Sequence, residues 1–262
     1  MYSTTVDGWL HRPMRRLHPK MNLFCFSHAG GAASAFRSWP AALPEWLEVW
    51  AIQLPGHGSR WNTRSISTIP ALVDALIPVL VPHLRQPFAF FGHSMGAVLA
   101  AEAARALVER QAIIPRHLFV SSRRPPHMPP SESNLHMLPD HELVKEVVLR
   151  YGGIPPELLH SPDLLELLLP PLRADLAALE TFQPSKRAAL PCPISAFGGT
   201  NDPLLPRNHL EAWRDQTSGP FRARVFPGGH FYLESQRDLL LADLSATLAP
   251  IDLVFRQTVV SA

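Results

Sequence analysis

The stretch Phe88-Ala89-Phe90-Phe91-Gly92-His93-Ser94-Met95-Gly96-Ala97, continued by Val98-Leu99-Ala100-Ala101-Glu102-Ala103-Ala104, decides the fold. The aromatic run before Gly92 reads as a buried strand, and the alanine-rich run after Ser94 reads as a helix able to pack closely against it. A Gly-x-Ser-x-Gly between strand and helix forces a sharp turn, which lifts the serine hydroxyl out at the C-terminal edge of a parallel sheet. A side chain at Gly92 or Gly96 would collide with the neighbouring strand or helix, so the spacing has a steric origin. Ser94 is therefore the candidate nucleophile.

Outward from this turn, short apolar runs alternate with longer helical patterns. Strands are expected over 22–27, 49–53, 88–91, 117–121, 194–197 and 222–226, and helices over 35–43, 68–84, 95–111, 207–217 and 234–248. Pro78 and Pro82 should kink or shorten the second of these helices. The alternation implies an α/β fold, a mainly parallel sheet with helices on both faces. At 262 residues the chain suits a single domain spanning 1–262 with a sizeable core.

The alternation breaks over about 123–186. Arg123-Arg124-Pro125-Pro126-His127-Met128-Pro129-Pro130 opens a proline-rich connection, followed by helical patterns over 140–151 and 162–182. The first should stop at Gly152-Gly153, and the second should start at Ser161 as N-cap with Pro162 at its first position. The leucines from Leu164 to Leu176 leave the second helix apolar around much of its circumference. This segment falls where the next strand–helix unit should begin, so it reads as a helical lid over an apolar acyl channel.

Composition narrows the function. With 46% hydrophobic and 18% charged residues and a formal charge of +2, no basic tract suggests nucleic acid. The 13 histidines are scattered, and His141-Glu142 has no second histidine at helical spacing, so a metalloprotease pattern is absent. Cys25 and Cys192 lie in apolar runs and read as buried thiols, which fits a reducing cytoplasm. The first twenty residues carry Arg12, Arg15, Arg16 and Lys20 without the apolar core of a leader, and no run of about 18 apolar residues occurs. Neither export nor a membrane span is expected.

A nucleophilic serine needs a base to take its proton and an acid to hold the base's tautomer. After the strand at 194–197, the tight loop Gly198-Gly199-Thr200-Asn201-Asp202-Pro203 would hold the Asp202 carboxylate at the sheet edge. After the strand at 222–226, Pro227-Gly228-Gly229-His230-Phe231 would place the His230 imidazole at the same edge. The chain order Ser94, Asp202, His230 is that of the α/β-hydrolase fold. The oxyanion requires two backbone N–H donors. Met95 supplies one, and the loop Ser27-His28-Ala29-Gly30-Gly31 should supply the other from Ala29, with Gly30 as the alternative. His28 should order this loop by hydrogen bonding, His57 should be a loop residue, and His93 should be structural.

Phe26-Ser27-His28-Ala29-Gly30-Gly31, Gly92-His93-Ser94-Met95-Gly96-Ala97, Leu169-Pro170-Pro171-Leu172-Arg173-Ala174-Asp175, Phe197-Gly198-Gly199 with Asp202, and Pro227-Gly228-Gly229-His230-Phe231-Tyr232 together resemble the type II thioesterases. These are discrete proteins that accompany nonribosomal peptide and polyketide synthases, and the resemblance runs from about residue 22 to 248. It implies hydrolysis of acyl groups from the phosphopantetheine thiol of an acyl or peptidyl carrier protein or carrier domain. By the matching motifs Ser94, Asp202 and His230 carry over as the triad, and Ala29 and Met95 as oxyanion donors. No cofactor is implied, since the phosphopantetheine belongs to the substrate.

Two departures accompany it. Pro55-Gly56-His57-Gly58 has histidine where many members carry arginine, in a loop that should bear on substrate or partner choice rather than on chemistry. Leu176 follows Asp175 where an aromatic is common. Arg60, Arg64, Arg123 and Arg124 should flank the active-site edge and meet an acidic carrier. A fatty-acyl carrier thioesterase and a small-molecule carboxylester hydrolase share the triad and remain alternatives. A non-catalytic binding module would not need all four parts of the machinery.

Overall fold

The computed structural model describes residues 4–6, 8–128, 134–152, 154, 161–184 and 187–260. Pro129, Pro130 and Gly153, and the 186 boundary of the lid segment, lie outside the described residues. Strands β1 (Thr4–Val6), β2 (Leu10–Arg12), β3 (Met21–Phe26), β4 (Leu47–Ile52), β5 (Phe88–His93), β6 (His117–Ser121), β7 (Ile194–Gly199) and β8 (Phe221–Phe226) form one sheet among the described residues. Their order is β1-β2-β4-β3-β5-β6-β7-β8. From β4 to β8 every neighbouring pair is parallel, while the β1–β2 and β2–β4 pairs are antiparallel. The hairpin β1–β2 was not expected. Its strands are three residues each, too short for a periodic signal, and Leu10 is drawn to zero exposure by packing at the sheet edge.

The helices are α1 (Trp39–Ala42), α2 (Ile69–Leu80), α3 (Met95–Gln111), α4 (Asp140–Tyr151), α5 (Pro162–Glu180), α6 (Arg207–Glu211), α7 (Tyr232–Ser235) and α8 (Arg237–Val260). Side chains alternate across the sheet, as strand geometry requires. Phe24, Phe26, Phe88 and Phe90 meet Leu72 and Leu76 of α2 and the small residues of α3. Leu23, Cys25, Ala89 and Phe91 face the other way, onto Trp39 and the Leu240, Leu241 and Leu244 stripe of α8. Both sheet faces are therefore covered by helices, and the parallel sheet lies between two cores.

Several expected helices are shorter or broken, each for a local reason. The 35–43 pattern splits into a 3₁₀ turn at Ala33–Phe36 and α1, with Pro40 confined to the first turn of α1. Thr68 caps α2 by accepting the Ala71 N–H, and α2 stops at Leu80 before a 3₁₀ turn over Val81–His83 that contains Pro82. The 207–217 pattern tightens to 3₁₀ after Glu211, and the 234–248 pattern divides into α7 and the longer α8. Helix α4 ends as expected at Gly152, whose φ is +66° and whose N–H bonds to the Val148 carbonyl. Ser161 occupies the N-cap of α5, but its side chain makes no capping bond.

Helices α4 and α5, with Leu135 of the 3₁₀ turn Leu135–Met137 before them, build a third, smaller core that includes Leu143, Val147, Leu169, Leu172 and Leu176. Ala29 packs against it, so this core sits over the C-terminal edge of the sheet. The opposite face of α5 leaves Leu164 and Leu167 exposed.

Candidate active site

Steric pressure shapes the Ser94 turn. A Cβ on Gly92 would stand 2.1 Å from the Gly96 carbonyl oxygen, and one on Gly96 would stand 2.1 Å from the Phe26 carbonyl oxygen. Strand β5, the head of α3 and the end of β3 can approach this closely only because both positions lack side chains. Ser94 itself sits at φ +54°, ψ −114°, a conformation that costs a non-glycine residue about 1–3 kcal/mol. Its N–H bonds to the Ser121 carbonyl at 2.8 Å, which holds the strained turn to β6.

The loops after β7 and β8 are zipped together. Thr200 N–H donates to the Phe226 carbonyl, and Asn201 N–H donates to the Gly228 carbonyl, both at 2.8 Å. A Cβ on Gly199 would stand 2.2 Å from the Gly229 carbonyl oxygen, so the two loops can touch only through glycine. The contact brings Asp202 Oδ2 to 2.9 Å from His230 Nδ1, with the side chains 0% and 4% exposed. A carboxylate only accepts, so Nδ1 carries the proton and Nε2 is left as the basic nitrogen. The other Asp202 oxygen accepts the Leu204 N–H at 3.1 Å, and Ser122 Oγ donates to the His230 carbonyl at 3.1 Å.

Ser94 and His230 line one cavity of about 410 Å³. Its floor is the His28–Ala32 loop, and its roof is supplied by Leu168, Leu172, Leu176 and Leu179 of α5 with Tyr151 of α4. Residues of α4 and α5 thus share one cavity with Ser94. Tyr151 meets the His230 ring edge-on, with ring centroids 5.1 Å apart, a contact that no local sequence signal announced.

The oxyanion loop shows how the two alternatives divide. Gly30 N–H donates to Asp175 Oδ2 of α5 at 2.8 Å and is thereby committed. Ala29 N–H lies in the same peptide as the His28 carbonyl, which accepts the Gly31 N–H at 2.9 Å. In a trans peptide the N–H points opposite to the carbonyl, so Ala29 N–H is turned away from that bond. His28 orders the loop through this carbonyl. Its ring packs edge-on against Phe231 at 4.8 Å, and burial together with His230 and His57 lowers its pKa to about 4. His93 is structural, as expected. Its Nδ1 bonds to Ser121 Oγ at 2.9 Å, Ser121 Oγ bonds to the Tyr232 hydroxyl at 2.8 Å, and burial holds the His93 pKa well below its usual range.

Two expectations need correction. The Pro55-Gly56-His57-Gly58 loop is not remote from the chemistry: His57 Nε2 is 2.8 Å from the same Asp175 oxygen that holds Gly30. The partners are 118 positions apart, so sequence spacing carried no trace of the contact. Of the four arginines expected at the site edge, Arg60 stacks its guanidinium 4.2 Å over the Trp9 ring and donates to the Gln53 carbonyl, against the N-terminal hairpin. Arg64 is exposed, and Arg123 and Arg124 line a second cavity of about 220 Å³ that shares Leu179 with the first. Among the described residues, no group of three His, Cys, Asp or Glu is set to hold a metal ion, and no helix is long and apolar enough to cross a membrane.

Comparison with known proteins places the chain in a family. The thioesterase domain model matches residues 21–248. Linear gramicidin dehydrogenase LgrE of Brevibacillus parabrevis is 39% identical over 243 residues, 92% of each chain. Thioesterase PikA5 of Streptomyces venezuelae is 38% identical over 237 residues, covering 88% of this chain and 84% of PikA5. The solved structure of the type II thioesterase BorB from the borrelidin biosynthetic cluster superposes with a TM-score of 0.86 at 37% identity, over 94% of this chain and 99% of BorB. With the serine turn, the carboxylate–imidazole pair and a match over most of its length, the chain belongs to the thioesterase family, and within it to the type II thioesterases.

Proposed function

We propose that this thioesterase removes acyl groups from the phosphopantetheine thiol of an acyl or peptidyl carrier protein or carrier domain in nonribosomal peptide or polyketide biosynthesis. The observation that carries this reading is one cavity in which Ser94, the Asp202-oriented His230 and the oxyanion loop face an apolar roof of α5 leucines. His230 Nε2 takes the Ser94 proton as Oγ attacks the thioester carbonyl, and Ala29 and Met95 N–H groups hold the oxyanion. The tetrahedral intermediate collapses by expelling the thiolate. Its conjugate thiol has a pKa of about 8.5, so it leaves with little acid assistance. The departing thiolate takes up the proton that His230 carried, and the freed Nε2 then deprotonates a water that attacks the acyl-enzyme; the same proton returns to Ser94 Oγ as the acid is released. Every step is assigned to side chains and backbone groups of this chain, with no cofactor, and the phosphopantetheine arrives with the substrate. The reaction is assigned to the cytoplasm, where such synthases would be met; the buried thiols Cys25 and Cys192 support this.

The leucine-lined roof also favours a second reading, a fatty-acyl carrier thioesterase acting on a plain alkyl chain. One comparison separates the readings: the same short acyl group on a carrier protein, on CoA and on an aryl ester. A higher kcat/KM on the carrier, falling with salt, supports docking to an acidic carrier through cations such as Arg123 and Arg124. Equal kcat/KM on carrier and CoA with no salt dependence sinks carrier recognition and leaves a general thioester or ester hydrolase. A preference that rises steadily with alkyl length favours the fatty-acyl reading.

A further inference from the structure

Asp175 is buried in the middle of α5, and one of its oxygens serves two partners. Oδ2 accepts the Gly30 N–H at 2.8 Å and faces His57 Nε2 at 2.8 Å. The His57 and Asp175 side chains are each 2% exposed. The second ring nitrogen of His57, Nδ1, lies 2.9 Å from the Pro55 carbonyl oxygen. A carbonyl and a carboxylate can only accept hydrogen bonds, so both ring nitrogens carry protons and the ring is an imidazolium. A buried ion pair thus joins three segments: the loop after β4, the roof helix and the oxyanion loop.

Gly56 explains how the loop reaches α5. Its φ is +85°, and a Cβ there would stand 2.0 Å from Ser65 Oγ and 3.4 Å from Pro171 Cβ. The positive φ and the close approach to Ser65 leave room only for glycine, Pro171 of α5 lies alongside at ordinary contact distance, and His57 is delivered to Asp175 one residue later.

We propose that His57 is a positioning residue for thioester hydrolysis, fixing through Asp175 the Gly30 amide and with it the direction of the Ala29 N–H. The proposal rests on the reading that Ala29 holds the oxyanion. Two anchors set that loop: the His28 carbonyl held by Gly31, and the Gly30 N–H held by Asp175. Loss of the second anchor frees the Ala29–Gly30 peptide, which closes the turn held by the His28 carbonyl and the Gly31 N–H; with that turn loosened the His28–Ala29 peptide tilts, and its Ala29 N–H is misaimed for the transition state. The same pair ties the roof helix to the floor loop across the cavity.

The charge state of His57 makes the device pH-dependent. Burial lowers its pKa, but the hydrogen bond and charge of Asp175 and the Pro55 and Leu54 carbonyls outweigh burial, and the net direction is up. The other ionisable groups facing it do not compete. His28, with its pKa near 4, is neutral, and Arg60, whose amide bonds to the His57 carbonyl, turns its guanidinium to Trp9. With a folded pKa raised above the unfolded value of about 6.5, the stabilising pair is fully present below that value. It is lost as pH rises through the folded pKa. The activity of the wild-type enzyme should then fall on the alkaline side even though His230 remains a competent base.

The test uses the full chain and one acyl-carrier thioester, with kcat and KM followed across pH. His57→Ala should lower kcat by about 10–10²-fold, less than complete removal of an oxyanion donor, with KM within about threefold. The double variant His57→Ala, Asp175→Asn should be little worse than either single one, since both act through one bond to Gly30. His57→Gln keeps an N–H donor near Asp175 without a titrating group, so it should lose the alkaline fall. A folded His57→Ala enzyme that is still labelled at Ser94 by a phosphonate yet keeps kcat within twofold overturns the proposal. A wild-type alkaline limb that persists unchanged in His57→Gln overturns it as well, and decides the matter if His57→Ala does not fold. Failure of the underlying catalytic reading shows separately, as activity surviving in Ser94→Ala.

Discussion

Asp202 Oδ2 stands 2.9 Å from His230 Nδ1, both side chains are buried, and the two loops that carry them can meet this closely only because position 199 is glycine. That contact fixes the proton on Nδ1 and leaves Nε2 as the basic nitrogen. Asp202→Asn can present an N–H where the carboxylate accepted one, which favours the wrong tautomer, so kcat should fall by about 10⁴ with the fold intact. Asp175→Asn, which acts on the Gly30 amide, should cost far less in single-turnover acylation. The reverse ranking would mean that the acid has been assigned to the wrong carboxylate.

Ser94→Ala removes one hydroxyl from a turn whose geometry is held by Gly92, Gly96 and the Ser121 carbonyl. Thermal stability should be kept or slightly raised, because alanine has no more difficulty at φ +54° than serine. Turnover should drop by about 10⁶, and a serine-directed phosphonate should no longer label the protein. Retention of more than a few per cent of activity would remove Ser94 from the mechanism.

Gly92→Ala tests the steric origin of the turn. Its Cβ would stand 2.1 Å from the backbone oxygen of Gly96, and neither strand nor helix can retreat without opening the core. A loss of stability of about 3 kcal/mol or more is expected by denaturant titration. A variant with an unchanged midpoint would show that the strand–helix approach is looser than the geometry indicates.

Helices α4 and α5 should open faster than the sheet. Their core is a small cluster of its own, and Leu149, Leu164 and Leu167 face solvent. Substrate must also pass beneath them to reach Ser94. Native-state hydrogen exchange should show lower protection over 140–151 and 162–180 than over β3, β5 and β6. Equal protection would mean that substrate enters by another route, or that the roof does not move.

The serine turn, the chain order of Ser94, Asp202 and His230, and the parallel αβ alternation are written in local sequence. Each depends on spacings of a few residues: a glycine two positions from the serine, an apolar run before a turn, a helical period after it. The ends of elements were legible wherever a proline or glycine stood there, as at Pro82 and Gly152. The β1–β2 hairpin was not, because three residues carry no period and the pairing with β4 is a choice of the sheet. Contacts between distant segments were also beyond reach. Asp175 meets His57 across 118 positions and Gly30 across 145, and nothing in an Arg-Ala-Asp triplet distinguishes a buried anchor from a solvated carboxylate. The choice of Ala29 over Gly30 as the available donor follows from that same bond. Local sequence determined which groups could do the chemistry. Only the packing of α5 onto the floor loop decided that the Gly30 amide is taken by Asp175, since a buried N–H is committed by whichever acceptor the tertiary fold brings to it.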